Sequence, residues 1–193
     1  MEHLEQETNW IGAALNGDQR AFAQLVERYS GAVYNLCYRM LGNGQDAEDA
    51  AQEVFLRAYT RLGSFDLNRR FSTWLLSIAS NYCIDRLRRR RYAWLTLDDV
   101  AFWLPSGGPG PERTALDRER DDRVQQALLQ LPENYRLVTV LRYWHDMSYD
   151  EIAAHTGLTE SALKTRLHRA RKMLAEALHE EGAALWETET TTS

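Results

Sequence analysis

Apolar residues recur at intervals of three and four along most of the chain, which is the spacing that gives a helix one buried face. In the first half, Leu25, Leu36 and Met40 belong to one such stripe, and Val54 and Ala58 belong to the next. The same spacing returns in the second half of the chain. The pattern predicts an all-α protein.

Breaks in the pattern mark the ends of these helices. Asn43 and Gly44 interrupt the first stripe, and Asp46 is placed to cap the helix that follows. A predicted loop then extends over residues 63–71. Ser72 is expected to cap a last helix of this half, which continues into a cluster of arginines.

The periodic pattern is lost around residues 94–122, which contain three of the four prolines of the chain. We therefore predict two small helical domains, 1–93 and 123–180, joined by a flexible linker over 94–122. The apolar residues 102–105 within the linker are expected to dock on another surface. An acidic tail, 181–193, is expected to be frayed or disordered.

The second domain contains the signature of a helix-turn-helix, a motif that lays one helix against duplex DNA. Ser148 and Glu151 have the spacing of a capping box, so a helix is expected to begin near Ser148. Gly157 supplies the left-handed residue of a tight turn, and Thr159 is a second N-cap. A short helix, a turn and a longer helix are therefore predicted.

The longer helix is amphipathic in a way that suits DNA. Its predicted buried stripe consists of Leu163, Leu167, Leu174 and Leu178. The opposite face and its flanks carry hydrogen-bond donors and cations, which could contact base edges and phosphates in the major groove. These residues are Ser161, Lys164, Thr165, Arg166, His168, Arg169, Arg171 and Lys172.

Charge is distributed unevenly along the chain, although the formal net charge is only −5 over 193 residues. Residues 83–92 carry five arginines against one acid, and residues 160–172 carry five cations against one acid. Four acids lie within residues 46–53, and the chain from Met173 onward has five glutamates but no lysine or arginine. Two basic patches are therefore expected on an acidic protein.

Composition argues against several other classes of protein. The chain has a mean hydropathy of −0.52 and no apolar run long enough to span a bilayer, so membrane insertion is not expected. Its N-terminus lacks the pattern of a signal peptide, which favours a cytoplasmic protein. Cys37 and Cys83 lie in apolar helical stretches without a motif partner and are expected to be reduced core residues.

Three motifs together resemble the extracytoplasmic-function sigma factors, the two-domain initiation factors of bacterial RNA polymerase. Residues 46–59 (DAEDAAQEVFLRAY) look like the polymerase-binding helix of that family, and residues 71–91 look like its promoter-melting helix. Residues 131–174 resemble its second domain. The resemblance covers nearly the whole chain and implies a sigma factor that directs promoter recognition, DNA melting and transcription initiation.

The resemblance also implies which residues contact DNA and polymerase. For the upstream (−35) element they are Lys164, Thr165, Arg166, His168 and Arg169, with Ser161 and Lys172 on the same exposed face. For the opened −10 element, the loop 64–71 would capture a base, and the contacting residues are Phe65, Phe71, Asn81, Tyr82, Arg86 and Arg88. Asp49, Gln52 and Glu53 would face a basic helical hairpin of the polymerase largest subunit.

Several alternatives remain open at this stage. The acids Asp46, Asp49 and Glu53 share a helix face and could hold a cation, as in a helical hydrolase, and Glu151 with His155 could form half of a metal site. A conventional regulator with a sensor domain is the other rival. We favour a non-enzymatic factor without metal or cofactor, whose partners are core polymerase, promoter DNA and an anti-sigma factor. The acidic tail could also repel DNA from the free protein.

Overall fold

A computed structural model describes the backbone of residues 2–96 and 115–190 and the side chains of residues 5–92 and 121–179. Within these ranges the chain forms helices and no strand. The first domain contains α1 (Glu2–Leu15), α2 (Gln19–Leu41), α3 (Gly44–Arg61), a short 3-10 helix (Leu62–Ser64) and α4 (Phe71–Thr96). The second contains α5 (Ala115–Gln130), α6 (Glu133–Tyr143), α7 (Tyr149–Thr156) and α8 (Glu160–Thr190).

The core of the first domain lies where α2 packs against α1, α3 and α4. Leu25, Leu36 and Met40 of α2 are almost completely buried there, as are Val54 and Ala58 of α3. The two predicted stripes therefore face each other. Cys37 and Cys83 are both free and buried in the same core, and a hydrogen bond with Cys37 together with burial raises the pKa of the Cys83 thiol.

Helix boundaries differ from the prediction where local chemistry offered more than one choice. The N-cap of α3 is Asn43, whose side chain accepts a hydrogen bond from the Asp46 amide at 2.9 Å. Asp46 is therefore in the first turn of the helix, and the expectation that it is the cap was wrong. Helix α4 begins at Phe71, one residue before the expected cap Ser72.

Helix also extends into segments expected to lack it. Of the predicted linker 94–122, the first residues belong to α4 and the residues from Ala115 onward belong to α5. The apolar segment 102–105 and the three linker prolines lie outside the described residues. Helix α8 continues to Thr190, so most of the predicted frayed tail is helical. The alanines, leucines and glutamates of these segments are strong helix formers, which accounts for both extensions.

The two domains pack against each other, with α5 and α6 on α2, and α6 also on α4. Arg39 of α2 is 4% exposed, forms an ion pair with Asp121 of α5 and donates a hydrogen bond to Gln125 at 3.0 Å. Its guanidinium also lies 5.1 Å from the ring centre of Trp144. A polar network with a cation–π contact therefore joins the two domains.

A second buried guanidinium crosses the same interface from the other side. Arg136 of α6 donates to the backbone carbonyl of Met40 in the first domain and to the carbonyls of Leu129 and Leu131 in its own. Burial lowers the pKa of Arg136 to about 10. Gly42 has a left-handed φ of 85°, and a β-carbon there would come within 2.7 Å of Leu129. This position therefore favours glycine for its left-handed backbone, and any side chain there would force Leu129 to move.

Candidate nucleic-acid interface

The helix-turn-helix is built by the local signals that its sequence contains. The Ser148 hydroxyl accepts from the Glu151 amide at 3.2 Å, and the Glu151 carboxylate accepts from the Ser148 amide at 2.8 Å, which completes the capping box. Gly157 is left-handed, with φ 70°, and the Thr159 hydroxyl accepts from the Ala162 amide at 3.2 Å. The predicted helix, turn and second helix are confirmed.

Helix α8 is anchored by a buried stripe that differs in part from the predicted one. Leu163 and Leu167 are 0% and 2% exposed, as expected. Further along the helix, Leu178 is 39% exposed, and its expected core position is occupied by Ala177. A helix has 3.6 residues per turn, so positions spaced only by four gradually leave the buried face. The buried face of α8 therefore continues through spacings of three as well as four and passes through Ala177 instead of Leu178.

The opposite face of α8 presents its donors to solvent. Exposed residues of the predicted set are Ser161, Lys164, Thr165, His168, Arg169, Arg171 and Lys172, and Arg166 is half-buried. Lys164 pairs with Glu160 at 2.6 Å, and Lys172 pairs with Glu176 at 3.8 Å. Among the described residues, Arg169 and Arg171 form no ion pair. They are therefore the cations most ready to contact DNA.

Arg166 has a partner within its own domain. Its guanidinium lies 5.8 Å from the ring centre of Tyr135 on α6. Lys164 has a similar contact, with its ammonium 5.8 Å from the ring centre of Tyr149. These cation–π contacts orient the two flanking cations along the edges of the exposed face.

The arginine cluster of α4 is held by acids from three elements. Arg86 and Arg90 both form ion pairs with Asp46 of α3. Arg88 lies 3.9 Å from Asp85 on its own helix. Arg91 lies 3.6 Å from Glu133 of the second domain. Arg89 is exposed and forms no ion pair among the described residues.

Asp46 is the central acid of this cluster. Burial acts to raise the pKa of its carboxyl, but the hydrogen bonds and charges of Arg90 and Arg86 outweigh burial and hold the pKa below its usual range. The Asn43 side-chain amide donates to the same carboxylate. Asp46 is therefore ionised at neutral pH and fixes the direction of two arginines, a role that the sequence pattern did not reveal.

The aromatic residues beside the loop 64–71 do not all occupy the positions expected of a base-stacking surface. Phe65 and Phe71 are 8% and 2% exposed, and their ring centres lie 5.4 Å apart in an edge-to-face contact. Both also pack on Trp74. The expectation that these two rings are free to stack on bases is therefore corrected, because they form the buried base of the loop instead.

Other predicted contacts to the opened strand are accessible. Asn81 and Arg88 are exposed on α4, and Tyr82 is half-buried with the Arg57 guanidinium 4.8 Å from its ring centre. At the loop tip, the Asp66 carboxylate accepts from the Asn68 amide at 3.0 Å, which forms a local turn. Thr73, at the start of α4, donates to Glu151 of α7 at 2.9 Å. The helix-turn-helix therefore lies beside this loop.

The predicted polymerase-binding residues lie on α3. Asp49 and Gln52 are exposed, and Glu53 is half-buried with its carboxylate 2.7 Å from Arg57 Nε. Of these three residues, Gln52 lines an apolar groove of about 750 Å³ between α2 and α3, a feature that the sequence did not predict. The groove is lined in part by Phe22, Val26, Tyr34, Phe55, Leu56 and Tyr59. The groove could have been suspected from Leu56, a large apolar residue that lies outside the predicted buried stripe and is 64% exposed.

The described residues contain no group of three or more histidine, cysteine, aspartate or glutamate side chains placed to hold a metal ion. Glu151 is engaged by its capping box and by Thr73, and burial lowers the pKa of His155. A search of the described helices found none long and apolar enough to cross a membrane.

Sequence comparison identifies the family. The profile of Sigma-70 region 2 matches residues 25–92, and that of Sigma-70, region 4 matches residues 121–174. The ECF RNA polymerase sigma factor SigW of Bacillus subtilis (strain 168) is 42% identical over 172 residues, which cover 85% of this chain and 92% of SigW. The chain belongs to the extracytoplasmic-function sigma factors. A further relative is the sigma-E factor of Escherichia coli (strain K12), 36% identical over 166 residues, with 82% and 86% coverage.

Solved structures of other proteins resemble this sigma factor. CnrH, in a structure described as CnrH in complex with the cytosolic domain of CnrY, is 32% identical, with a TM-score of 0.65 and coverage of 91% of this chain and 98% of CnrH. RpoE from Bartonella quintana is similar in fold, with a TM-score of 0.70 at 24% identity over 82% and 96% of the two chains. The sigma factor thus directs RNA polymerase in promoter recognition, DNA melting and initiation.

Proposed function

We propose that the sigma factor binds the −35 element as duplex DNA with the exposed face of α8. The observation that carries this assignment is the pairing of two faces on one helix, with Leu163 and Leu167 buried on one side and Arg169 exposed on the other, where it forms no ion pair with any described residue. A helix fixed in this way can enter the major groove without reorganising. Arginine can then bond guanine edges while neighbouring cations neutralise phosphates.

We propose that the first domain holds the opened −10 element along α4. Asn81, Tyr82, Arg86 and Arg88 remain the contacting residues, and the loop 64–71 remains the candidate for base capture. The buried pair Phe65 and Phe71 would support that loop from below. A cationic helix surface with polar donors suits a single strand, whose backbone is attracted regardless of sequence.

We propose that Asp49, Gln52 and Glu53 bind the largest subunit of core polymerase. Asp49 and Gln52 are exposed on α3, and Gln52 also lines the apolar groove, so a helical partner could contact polar and apolar side chains together. Charges at the edge of such an interface would guide association, and burial of Leu56 and Tyr59 would add affinity.

We propose further that the protein acts in the cytoplasm, has no catalytic activity of its own, and is regulated by an anti-sigma factor. The likeness to CnrH, solved with the cytosolic domain of CnrY, supports a protein inhibitor of this kind. Adding a candidate inhibitor domain to a transcription reaction should abolish initiation. Metal-dependent turnover that is lost in Asp49→Ala would contradict the absence of catalysis.

Run-off transcription tests the whole assignment. The purified sigma factor is mixed with core polymerase and a library of promoter sequences, and transcripts are sequenced from their 5′ ends. We expect core-dependent transcripts that share an upstream and a −10 motif. Core-dependent transcripts from which the upstream motif is absent would contradict the role of α8, and loss of all transcripts would contradict the proposed function.

A further inference from the structure

A cationic cleft lies between α3 and the second half of α4. It has a volume of about 380 Å³ and is lined by Arg57, Tyr82, Asp85, Arg86, Arg89 and Arg90. Its lining thus contains four guanidinium groups and one carboxylate. The sequence interpretation assigned Tyr82 and Arg86 to the DNA surface, but it gave no role to Arg57, which comes from the helix expected to bind polymerase.

Arg57 is oriented before any ligand arrives. Its Nε donates to the Glu53 carboxylate at 2.7 Å, and its guanidinium lies 4.8 Å from the ring centre of Tyr82. Its side chain is still 36% exposed. Within the described part of the chain, its two terminal nitrogens donate to no other residue. These two nitrogens can therefore point a fork of donors into the cleft.

The other side of the cleft is oriented in a similar way. Arg86 and Arg90 share the Asp46 carboxylate, and Arg86 also donates to the Tyr82 hydroxyl at 3.3 Å. Arg89 is exposed between them. Asp46, Glu53 and Asp85 offset part of this charge, but Arg57 and Arg89 keep guanidinium nitrogens that donate to no described residue.

The chemistry of the cleft favours a phosphate over a base. Arginine forks match the oxygen spacing of phosphate and bind it through paired hydrogen bonds. One face of the Tyr82 ring is already occupied by Arg57, which removes that face as a stacking platform. The exposed polar residues Asn81 and Arg88 continue along α4 from the cleft, as expected of a path for a nucleic-acid backbone.

We propose that this cleft binds one backbone phosphate of the opened promoter strand and that Arg57 is a direct ligand of that phosphate. This inference rests on the proposed function, since it adds a contact to the strand-binding surface of α4. Arg89 lies on the opposite wall and contributes the second fork, and Asp46 acts as a positioning residue for Arg86 and Arg90.

The salt dependence of strand binding tests the proposal. The sigma factor, assembled with core polymerase, is titrated against a fluorescent single strand of mixed sequence, because a backbone contact needs no promoter motif. Arg57→Ala should bind roughly fivefold more weakly at about 0.1 M salt and reduce the salt slope by about 0.7, the contribution of one phosphate to single-strand binding. Arg61→Ala, an exposed arginine on the same helix outside the cleft, should match the wild type.

Neutralising the DNA locates the contact. In a series of strands with one uncharged methylphosphonate each, binding to the wild type should weaken at one position, and that position should have no further effect on Arg57→Ala. The proposal would be overturned if each methylphosphonate weakened strand binding by the same amount in the wild type and in Arg57→Ala. It would also be overturned if Arg57→Ala bound the strand with unchanged affinity. Weaker binding to core polymerase with unchanged strand binding would also overturn it, because the cleft would then receive an acidic protein segment.

These outcomes are separate from the failure of the proposed function. Wild-type run-off transcription tests the sigma activity without reference to Arg57. The matched pair Arg57→Ala and Arg57→Lys then tests the fork, since lysine keeps the charge but lacks paired donors. We expect Arg57→Lys to restore the salt slope more fully than the affinity at fixed salt. Thermal unfolding of both variants checks that the first domain remains folded.

Discussion

Arg39 of α2 and Asp121 of α5 form an ion pair that joins the two helical domains across 82 residues of sequence. Gln125 extends this contact, since its side chain accepts from Arg39 at 3.0 Å and donates to the Tyr38 carbonyl at 3.1 Å. The relative position of the domains therefore depends on polar groups with directional requirements and not on apolar contact alone.

Replacing Arg39 should loosen the interface. Arg39→Ala leaves the Asp121 and Gln125 side chains without this donor, and an unmade hydrogen bond to a charged group costs about 1–3 kcal/mol. We expect a larger radius of gyration by small-angle X-ray scattering and an unchanged helix content by circular dichroism. Arg20→Ala, an exposed arginine on the same helix, serves as the control, and equal radii for the two variants would contradict the prediction.

The stability of the protein should fall in mild acid through His145. Burial lowers the pKa of this histidine to about 4, and its Nε2 is buried without a hydrogen-bond partner among the described residues. The unfolded chain has an ordinary histidine pKa of about 6.5, so it binds more protons than the native state between these values and stability decreases as pH falls. The loss is at most about 3 kcal/mol.

Urea unfolding between pH 4 and 7 measures this loss. His145→Gln should show a shallower pH dependence than the wild type, whereas His168→Gln, an exposed substitution on α8, should not. His155 contributes in the same direction because burial also lowers its pKa, so some pH dependence remains in His145→Gln. Identical profiles for His145→Gln and the wild type would contradict the assignment.

Two leucines of α8 that are equivalent by spacing alone should differ in their effect on stability. Leu167 is 2% exposed, and Leu167→Ala should reduce the free energy of unfolding by about 2–5 kcal/mol, the usual cost of a cavity in a core. Leu178 is 39% exposed, so Leu178→Ala should cost less than about 1 kcal/mol. Chemical denaturation measures both losses of unfolding free energy. Equal losses for the two variants would mean that Leu178 belongs to the buried stripe, as the sequence predicted.

Recognition of the −35 element should depend on Arg169 in a sequence-specific way. Arg169→Ala should cost about 1–3 kcal/mol of binding at one base position and relax the preference there. Arg171→Ala, in contrast, should weaken binding to all promoter sequences by the same factor, as the loss of a phosphate contact would. Selection of promoters from a randomised upstream element measures both. A preserved preference in Arg169→Ala would remove this residue from base recognition.

Features set by neighbouring residues were predictable from the sequence. The capping box of Ser148 and Glu151, the turn at Gly157 and the burial of Leu163 all follow from chemistry within one or two helical turns, and all are confirmed. The exposed donors of α8 follow from the same periodicity. The all-α class and the helix-turn-helix therefore needed no tertiary information.

Features set by distant residues were not predictable in this way. Phe65 and Phe71 look like accessible loop aromatics in the sequence, but packing against Trp74 buries them. Asp46 looks like a helix cap, yet its carboxylate binds arginines 40 and 44 residues away. No periodicity reports such contacts, because they depend on how α3 and α4 pack.

The two buried guanidiniums at the domain interface, those of Arg39 and Arg136, each have an Nε without a hydrogen-bond partner among the described residues. Water would solvate both groups if the domains separated, and this gain in hydration would offset much of the interaction lost. The interface thus selects one docked geometry, and hydration of these two groups lowers the free energy needed to undock the domains. A protein with this property can have a defined resting shape and still spread along a template much longer than itself.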